Sequence, residues 1–387
     1  MISIWEQECF YRDTDVLIAG GGLMGLWTAY ELTRQKPGLK VTICEALPVP
    51  ALASTRNAGF ACFGSPGELW SDLQTMGEDA MWQVVEMRYK GIQKILSVFG
   101  AAAIDFEPSG GYELYDHNPE WNGDGLQEKL ELLNKGFYPI SGVKSMYANC
   151  TNAIEQFGLA SFAAMAGNSI EGGLHSGKLV MALQQLVRQQ GVVYLEGHAI
   201  LSSSKSKTNL WMLQDIRKGD YKQVKANTVI WATNAWLSQQ AGMQPTVTPA
   251  RGQVLLSPPV EGLKLFGTFH YHEGYYYFRN LGNRLLIGGA RNHAFAEEET
   301  TVDLPTEKIR GHLEAFIREK FPQVAPLLGQ PGWLNWAGIM GMSAQKLPVV
   351  KEMEPGQWAA FACNGMGVAL TPMVGEEVAK AVIFALK

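Results

Sequence analysis

The chain has 387 residues, 47% of them hydrophobic and 18% charged, with a formal net charge of −5. That length can bury a large core and points to about two or three domains. The mild negative charge offers no basic footprint for nucleic acid or an anionic membrane surface. The five cysteines, Cys9, Cys44, Cys62, Cys150 and Cys363, are scattered, with neither C-x-x-C spacing nor a nearby histidine cluster. They read as reduced thiols, not as a disulfide framework or a metal site. The start, MISIWEQECFYRD, carries acids where a secretory signal is basic and then apolar. No apolar run approaches the ~18 to 20 residues of a membrane span. A soluble, cytoplasmic protein with no metal, no nucleic-acid partner and no membrane span is expected.

Residues Asp15 to Glu45, DVLIAGGGLMGLWTAYELTRQKPGLKVTICE, read as strand, glycine turn, helix and a second strand ending in an acid. Gly20, Gly22 and Gly25 form G-x-G-x-x-G: the first permits the tight turn, the second lets backbone approach a pyrophosphate, the third lets helix and strand pack closely. Leu23 and Met24 then open the helix, whose N-terminus favours an anion. Glu45, followed by Ala46, is placed to accept hydrogen bonds from both ribose hydroxyls of an adenosine, and it would repel a 2′-phosphate. The motif predicts an adenine dinucleotide, and it does not by itself choose between FAD and NAD.

The loop ALPVPALASTRNAGFACFGSPGEL follows, long enough to be functional. Apolar spacing then predicts a helix over 72–99, a short strand over 112–115 and an amphipathic helix over 125–135. EGGLHSGKLVMALQQLVRQQGVVYLEG reads as a second strand–helix–strand piece, with the helix over 176–190 and the strand over 192–195. A polar hairpin around 202–207 and a strand over 224–232 come next. NTVIWATNAW ends that strand in Ala232, Thr233, Asn234 and Ala235, small or polar as a nucleotide-facing loop requires. Beyond Pro245 the chain turns β-rich through RGQVLLS, HYHEGYYYFRN and NRLLIGGAR, then helical over 306–321. PGWLNWAGIMGMSAQKLPVV and QWAAFACNGMGVALTPMVGEEVAKAVIFALK return to strand, glycine loop and a helix over 373–385.

AGGGLMG with Glu45, STRNAGF, VIWATNAW and CNGMGVALTPMVGEEVAKAV, in that order, resemble the D-amino-acid oxidase and sarcosine oxidase family of FAD-dependent oxidoreductases over nearly the whole chain. RGQVLL, GYYYFRN and RLLIGGARN resemble its substrate-domain strands. The resemblance implies an α/β (α+β) fold: a Rossmann-like FAD-binding domain (1–84, 146–242, 336–387) interrupted by a β-rich substrate domain with an antiparallel sheet (85–145, 243–335). It implies FAD rather than NAD.

By the same resemblance, Ser54, Thr55, Arg56 and Asn57 contact pyrophosphate, ribityl oxygens or the flavin ring, and Ala232, Thr233 and Asn234 lie on the adenine side. Gly338, Lys346 and the run Asn364, Gly365, Met366, Gly367 and Val368 border the flavin, where a helix N-terminus would stabilise charge arriving at the ring. On the strand over 274–280, alternation sends Tyr275, Tyr277 and Arg279 to one face, which would line the substrate space, with Arg279 placed for a carboxylate. His270 and His272 sit one alternation before the same face, where proton transfer competes with a structural role.

Three departures bear on substrate and linkage. Met340 stands where glycine and D-amino-acid oxidases carry the arginine that grips a substrate carboxylate. No cysteine lies between Cys150 and Cys363, where sarcosine oxidases attach FAD, so FAD is expected to be noncovalent. Ala344, Gln345 and Lys346 replace a common Pro-Asp-Gly, which is closer to γ-glutamylputrescine oxidase-like members.

The expected activity is oxidation of a C–N bond of an amine or amino acid. Hydride goes to flavin N5, the imine hydrolyses, and oxygen takes the electrons as hydrogen peroxide, with Arg56, Tyr275, Tyr277, Arg279 and Met340 at the reacting centre. The competing expectations are a dehydrogenase serving a quinone or carrier, a non-catalytic flavoprotein or assembly partner, and an NAD-dependent dehydrogenase.

Overall fold

The computed structural model describes residues 2–49, 52–201, 209–238, 247–344, 346–361 and 364–386. The hairpin expected around 202–207, Gln345 and Cys363 lie outside them.

A mostly parallel sheet is built around the first strand. Its order is Val349–Glu354, Gln357–Phe361, Tyr221–Trp231, Thr14–Ala19, Val41–Glu45, Val193–Glu196. All neighbours run parallel except the edge strand Val349–Glu354. Parallel strands are covered on both faces, so they read as continuous apolar runs, and every residue of VTICE is buried. The strand Tyr221–Trp231 shows the transition within one element. Its first part alternates exposed and buried where it pairs with the antiparallel strand Leu210–Asp215, and its last four residues are all buried.

Helix Leu23–Gln35 links the first two parallel strands, and Ser176–Gln189 leads into Val193–Glu196. Helix Gly367–Ala385 packs with Leu23–Gln35 and Glu78–Ala103 in one core that includes Leu26, Trp27, Ile92, Ile95, Val374 and Val378. At Gly91 the approach is backbone to backbone, since an added Cβ would lie 1.8 Å from the Ala369 carbonyl oxygen.

The second sheet runs Leu334–Met342, Thr248–Leu256, Arg284–Gly289, Tyr276–Leu281, Thr268–Tyr271, Gly111–Tyr115, Ala164–Asn168, Ala148–Asn149. All its pairings are antiparallel except that between Thr268–Tyr271 and Gly111–Tyr115. Helix Glu307–Lys320 covers one face, placing Ile309, Leu313, Phe316 and Ile317 against Phe269, Phe278 and Ile287. Thr306 starts it by accepting the Ile309 N–H.

Several boundaries differ from the sequence reading. The helix expected over 72–99 is two, Pro66–Met76 and Glu78–Ala103, because Gly77 adopts φ 84° and ends the first. The C-terminal helix begins at Gly367, not near 373, and carries Pro372 inside it. The strand expected from 274 begins at Tyr276, since His272, Glu273 and Gly274 form a turn with positive φ. The domain boundary at 336 cuts the strand Leu334–Met342, and the one at 146 separates Ala148–Asn149 and Ala164–Asn168 from the antiparallel sheet they join. No helix among the described residues is long and apolar enough to cross a membrane.

Candidate active site

The first strand ends at a turn beside the carboxyl end of Tyr221–Trp231, the switch point where open α/β sheets bind ligands. Gly20 takes φ 102° there, and a Cβ on it would lie 2.5 Å from the Ala232 carbonyl. A Cβ on Gly25 would lie 2.0 Å from the Gly20 carbonyl, so only hydrogen fits between helix and turn. Gly22 begins the helix without a side-chain cap, while Ser54 Oγ accepts the Leu23 N–H at 3.0 Å. The Glu45 carboxylate accepts the Gly21 N–H at 2.8 Å and the Leu47 N–H at 2.9 Å. Burial raises its pKa above the usual carboxylate value, against those two bonds. Thr233 Oγ1, also at this turn, is buried with no hydrogen-bond partner among the described residues.

The loop after Glu45 forms the short helix Ala53–Arg56. Asn57 fastens it: its amide donates to the Ala53 and Ser54 carbonyls, and its oxygen accepts from Gly59 N–H and Ser176 Oγ. Arg56 is not free. Its guanidinium pairs with Asp303 and donates to the Ala337 carbonyl at 2.9 Å. Asn234 likewise spends both ends of its amide on backbone, donating to the Ile339 carbonyl at 2.9 Å and accepting the Gly341 N–H at 3.0 Å. Its side chain therefore clamps the edge strand of the second sheet, while Ala232 and Thr233 beside it face the glycine turn.

Register aligns side chains on one face of the antiparallel sheet, because directly opposed residues project together. Trp336, Val254, Gly288, Tyr277, His270, Glu113 and Ala166 stand in one row across it. Gly338 opposite Gly252 and Met340 opposite Ala250 continue the same face. This face meets the Arg56 loop: a Cβ on Gly338 would lie 3.1 Å from Arg56 Cβ. Phe60 packs edge-on against His270 and Tyr277, with centroids 5.2 and 6.1 Å away. Burial pushes the Tyr277 hydroxyl up to about 12, with Arg291 opposing the rise. His270 is 6% exposed and neither ring nitrogen has a partner among the described residues.

Tyr275 does not share that face. It precedes the strand, donates its N–H to the His272 carbonyl, and packs its ring near His272 and Phe295, against the cluster under helix Glu307–Lys320. His272 is exposed in the turn. Arg279 does share the face of Tyr277, yet its guanidinium is buried and bonded to the Gly59, Leu174 and Asn280 carbonyls. Burial lowers its pKa.

The run from Asn364 to Val368 closes the same space. A Cβ on Gly365 would lie 3.7 Å from Met340 Sδ, and Asn364 holds the end of that edge strand by accepting the Ser343 N–H at 2.8 Å. Gly367 and Val368 form the first turn of the C-terminal helix, and Met366 precedes them. Lys346, at φ 55°, pairs with buried Asp72 at 2.6 Å. Beneath lie Arg88 and Glu68, paired at 2.9 Å. Burial would raise the Glu68 carboxyl, but Arg88, with His270 and Lys346, together outweigh it and hold it low. Glu113 and Glu171 have no such cation among the described residues, and burial pushes both up to about 7.

The sequence model described as DAO, FAD dependent oxidoreductase, matches residues 15–381. The chain belongs to that family. It is an oxidoreductase whose cofactor is FAD. The probable oxidoreductase OrdL of Rhizobium meliloti (strain 1021) is 24% identical over 374 residues, 94% of this chain and 82% of the relative. L-proline dehydrogenase from P. horikoshii shares the fold with a TM-score of 0.74 at 19% identity, covering 96% of this chain and 93% of that one. Glycine oxidase from Geobacillus kaustophilus does so with a TM-score of 0.73 at 21% identity, covering 97% and 95%.

The turn region fits an adenine dinucleotide such as FAD. A helix N-terminus whose N-cap residue Gly22 has no side chain and whose Leu23 N–H meets only the Ser54 hydroxyl, a carboxylate on the turn and the orphaned Thr233 hydroxyl suit pyrophosphate and ribose. Sequence reasoning had no sign of Asp303, which is 247 residues from its partner Arg56. It also left out Phe60 and Glu68, and it weighed His270 only for proton transfer against a structural role. Alternation within HYHEGYYYFRN was the available signal for His270, but the pairing of His270 with Tyr277 depends on the tight turn between them.

Proposed function

We propose that this oxidoreductase oxidises the C–N bond of an amine whose reacting carbon carries no carboxylate. In balance, R–CH2–NH2, oxygen and water give R–CHO, ammonia and hydrogen peroxide, through an imine that water hydrolyses. FAD supplies the two-electron acceptor for the hydride leaving the carbon next to nitrogen. The glycine turn with Leu23 and Met24, Glu45 with Ala46, Ser54, Thr55, Ala232 and Thr233 hold its dinucleotide part. Gly338, Met340 and the run Asn364 to Val368 border its ring.

The carrying observation is the state of the cations. Arg56 is paired with Asp303, Lys346 with Asp72, and Arg279 is consumed by three backbone carbonyls. At the remaining position stands Met340. A carboxylate brought to this face would be desolvated without a partner, which is strongly unfavourable. Arg291 makes no ion pair among the described residues and its charge is felt at the Tyr277 hydroxyl, but it lies past the end of its strand, stacked 5.0 Å over Phe295. An anionic group on the substrate therefore belongs far from the reacting carbon. Phe60, Tyr277 and Met340 supply an aromatic and apolar wall that excludes water from it.

A carrier-linked dehydrogenase is the second reading, favoured by the same engaged cations: reduction of oxygen develops negative charge that a free cation would stabilise. The test is product analysis in air against an artificial acceptor. Carbonyl and peroxide in equal amounts support the oxidase, carbonyl formed only with the acceptor supports the dehydrogenase, and no carbonyl from any amine rejects both. The free thiols Cys9, Cys44, Cys62 and Cys150 support a reducing, cytoplasmic setting.

A further inference from the structure

We propose that His270 is the group that receives the substrate amine, its neutral imidazole accepting an N–H bond and fixing the nitrogen over the sheet face. This rests on the amine reading above and names a contact within the same site.

Buried polar groups are satisfied almost without exception, and one that is not marks a ligand, a water or a functional strain. His270 leaves both ring nitrogens unsatisfied at 6% exposure. Its neighbours explain why no protein group fills the role. Across the pairing on one side stands Tyr277, on the other Glu113. Glu113 already accepts from the Gly67 N–H and from the Tyr115 hydroxyl, and Phe60 offers only its ring edge. The charged groups felt from below are Glu68 and Arg88, which pair with each other. Burial lowers the imidazole pKa, which keeps it neutral and leaves one nitrogen as an acceptor. A neutral acceptor suits an amine, whose N–H bonds point outward while its lone pair stays free to assist departure of the hydride. A water molecule in the same place is the competing occupant.

The experiment uses the FAD-loaded enzyme and tert-butylamine, which has no hydrogen on the carbon next to nitrogen and so binds without being oxidised. Binding is read from the flavin absorbance and from the ring nitrogens of 15N-labelled histidine, with His270 assigned by its absence in H270N. One His270 ring nitrogen should shift on saturation, and the dissociation constant should rise about tenfold in H270F, which has no acceptor, and less in H270N, whose amide oxygen still accepts. H270F should also melt no lower than the parent, because an apolar ring replaces an unsatisfied one. Saturation of the flavin change with His270 unmoved, or an H270F affinity within about twofold of the parent, overturns the inference. A melting point lowered in both variants with binding intact shows a structural histidine or a resident water. If the parent oxidises amines and these outcomes hold, only the His270 assignment falls. If no amine perturbs or bleaches the parent flavin, the amine reading falls with it.

Discussion

Replacing Glu113 with glutamine removes a buried charge and keeps a carbonyl acceptor for the Gly67 N–H and the Tyr115 hydroxyl. Burial raises the folded-state pKa of this carboxyl from 4.5 to about 7. Because the folded chain holds the proton more tightly than the unfolded one, its contribution is fully present below 4.5 and is lost as pH rises through about 7. A rise of that size corresponds to roughly 3 kcal/mol once ionisation is complete. At about 2.1 cal/mol/K per residue over 387 residues, 1 kcal/mol moves the melting point by about 1.2 °C. E113Q is therefore expected to melt within about 1 °C of the parent at pH 5 and roughly 4 °C above it at pH 8. Glu171 titrates in the same window but is present in both proteins, so the difference isolates Glu113. The assay is scanning calorimetry of the two FAD-loaded proteins at matched occupancy. A variant that melts below the parent at pH 8, or a difference that does not change with pH, would show that the carboxylate is ionised and well paired in the folded protein.

Other substitutions separate structure from substrate recognition. D303N releases Arg56 while altering stability by under ~1 kcal/mol, since the pair is partly exposed. Its KM for amines bearing a carboxylate on the reacting carbon should fall relative to simple amines, and an unchanged ratio would count against the pairing. R279M strands three carbonyls and should lower stability by about 2 to 4 kcal/mol, with equal activity losses for acidic and neutral substrates; a loss confined to acidic ones would restore Arg279 as a carboxylate partner. E45R should lower the flavin-to-protein ratio on purification, and full occupancy would remove Glu45 from the dinucleotide site.

Much of the cofactor half was legible in the sequence because its signals are local. The turn from Gly20 to Gly25 and the acid Glu45 sit on one strand–helix–strand unit, and Gly20 and Gly25 have the tight turn and the close helix packing their spacing predicts, while Gly22 approaches Ser54 Oγ. The glycines at 365 and 367 were legible for the same reason, although the helix start was misplaced by Pro372, which looks like a boundary and sits inside the helix. The substrate half depends on pairing across the sheet, and alternation alone could not supply it. Tyr275 reads as a strand residue until the turn His272 to Tyr275 removes it. Arg279 reads as a carboxylate partner until Gly173 and Gly59 are seen to let it reach carbonyls from a distant segment. Asp303 comes from a loop held by Arg251, which donates to the Val302 and Leu304 carbonyls on either side of it.

The central claim is that this FAD enzyme oxidises amines and turns away a carboxylate at the reacting carbon. Anaerobic stopped-flow mixing with a matched pair, an amine and the α-amino acid that adds only a carboxylate to it, tests this most directly. The visible flavin absorbance of the bound cofactor is expected to bleach with the amine and to persist with the amino acid. Faster bleaching by the amino acid would contradict it.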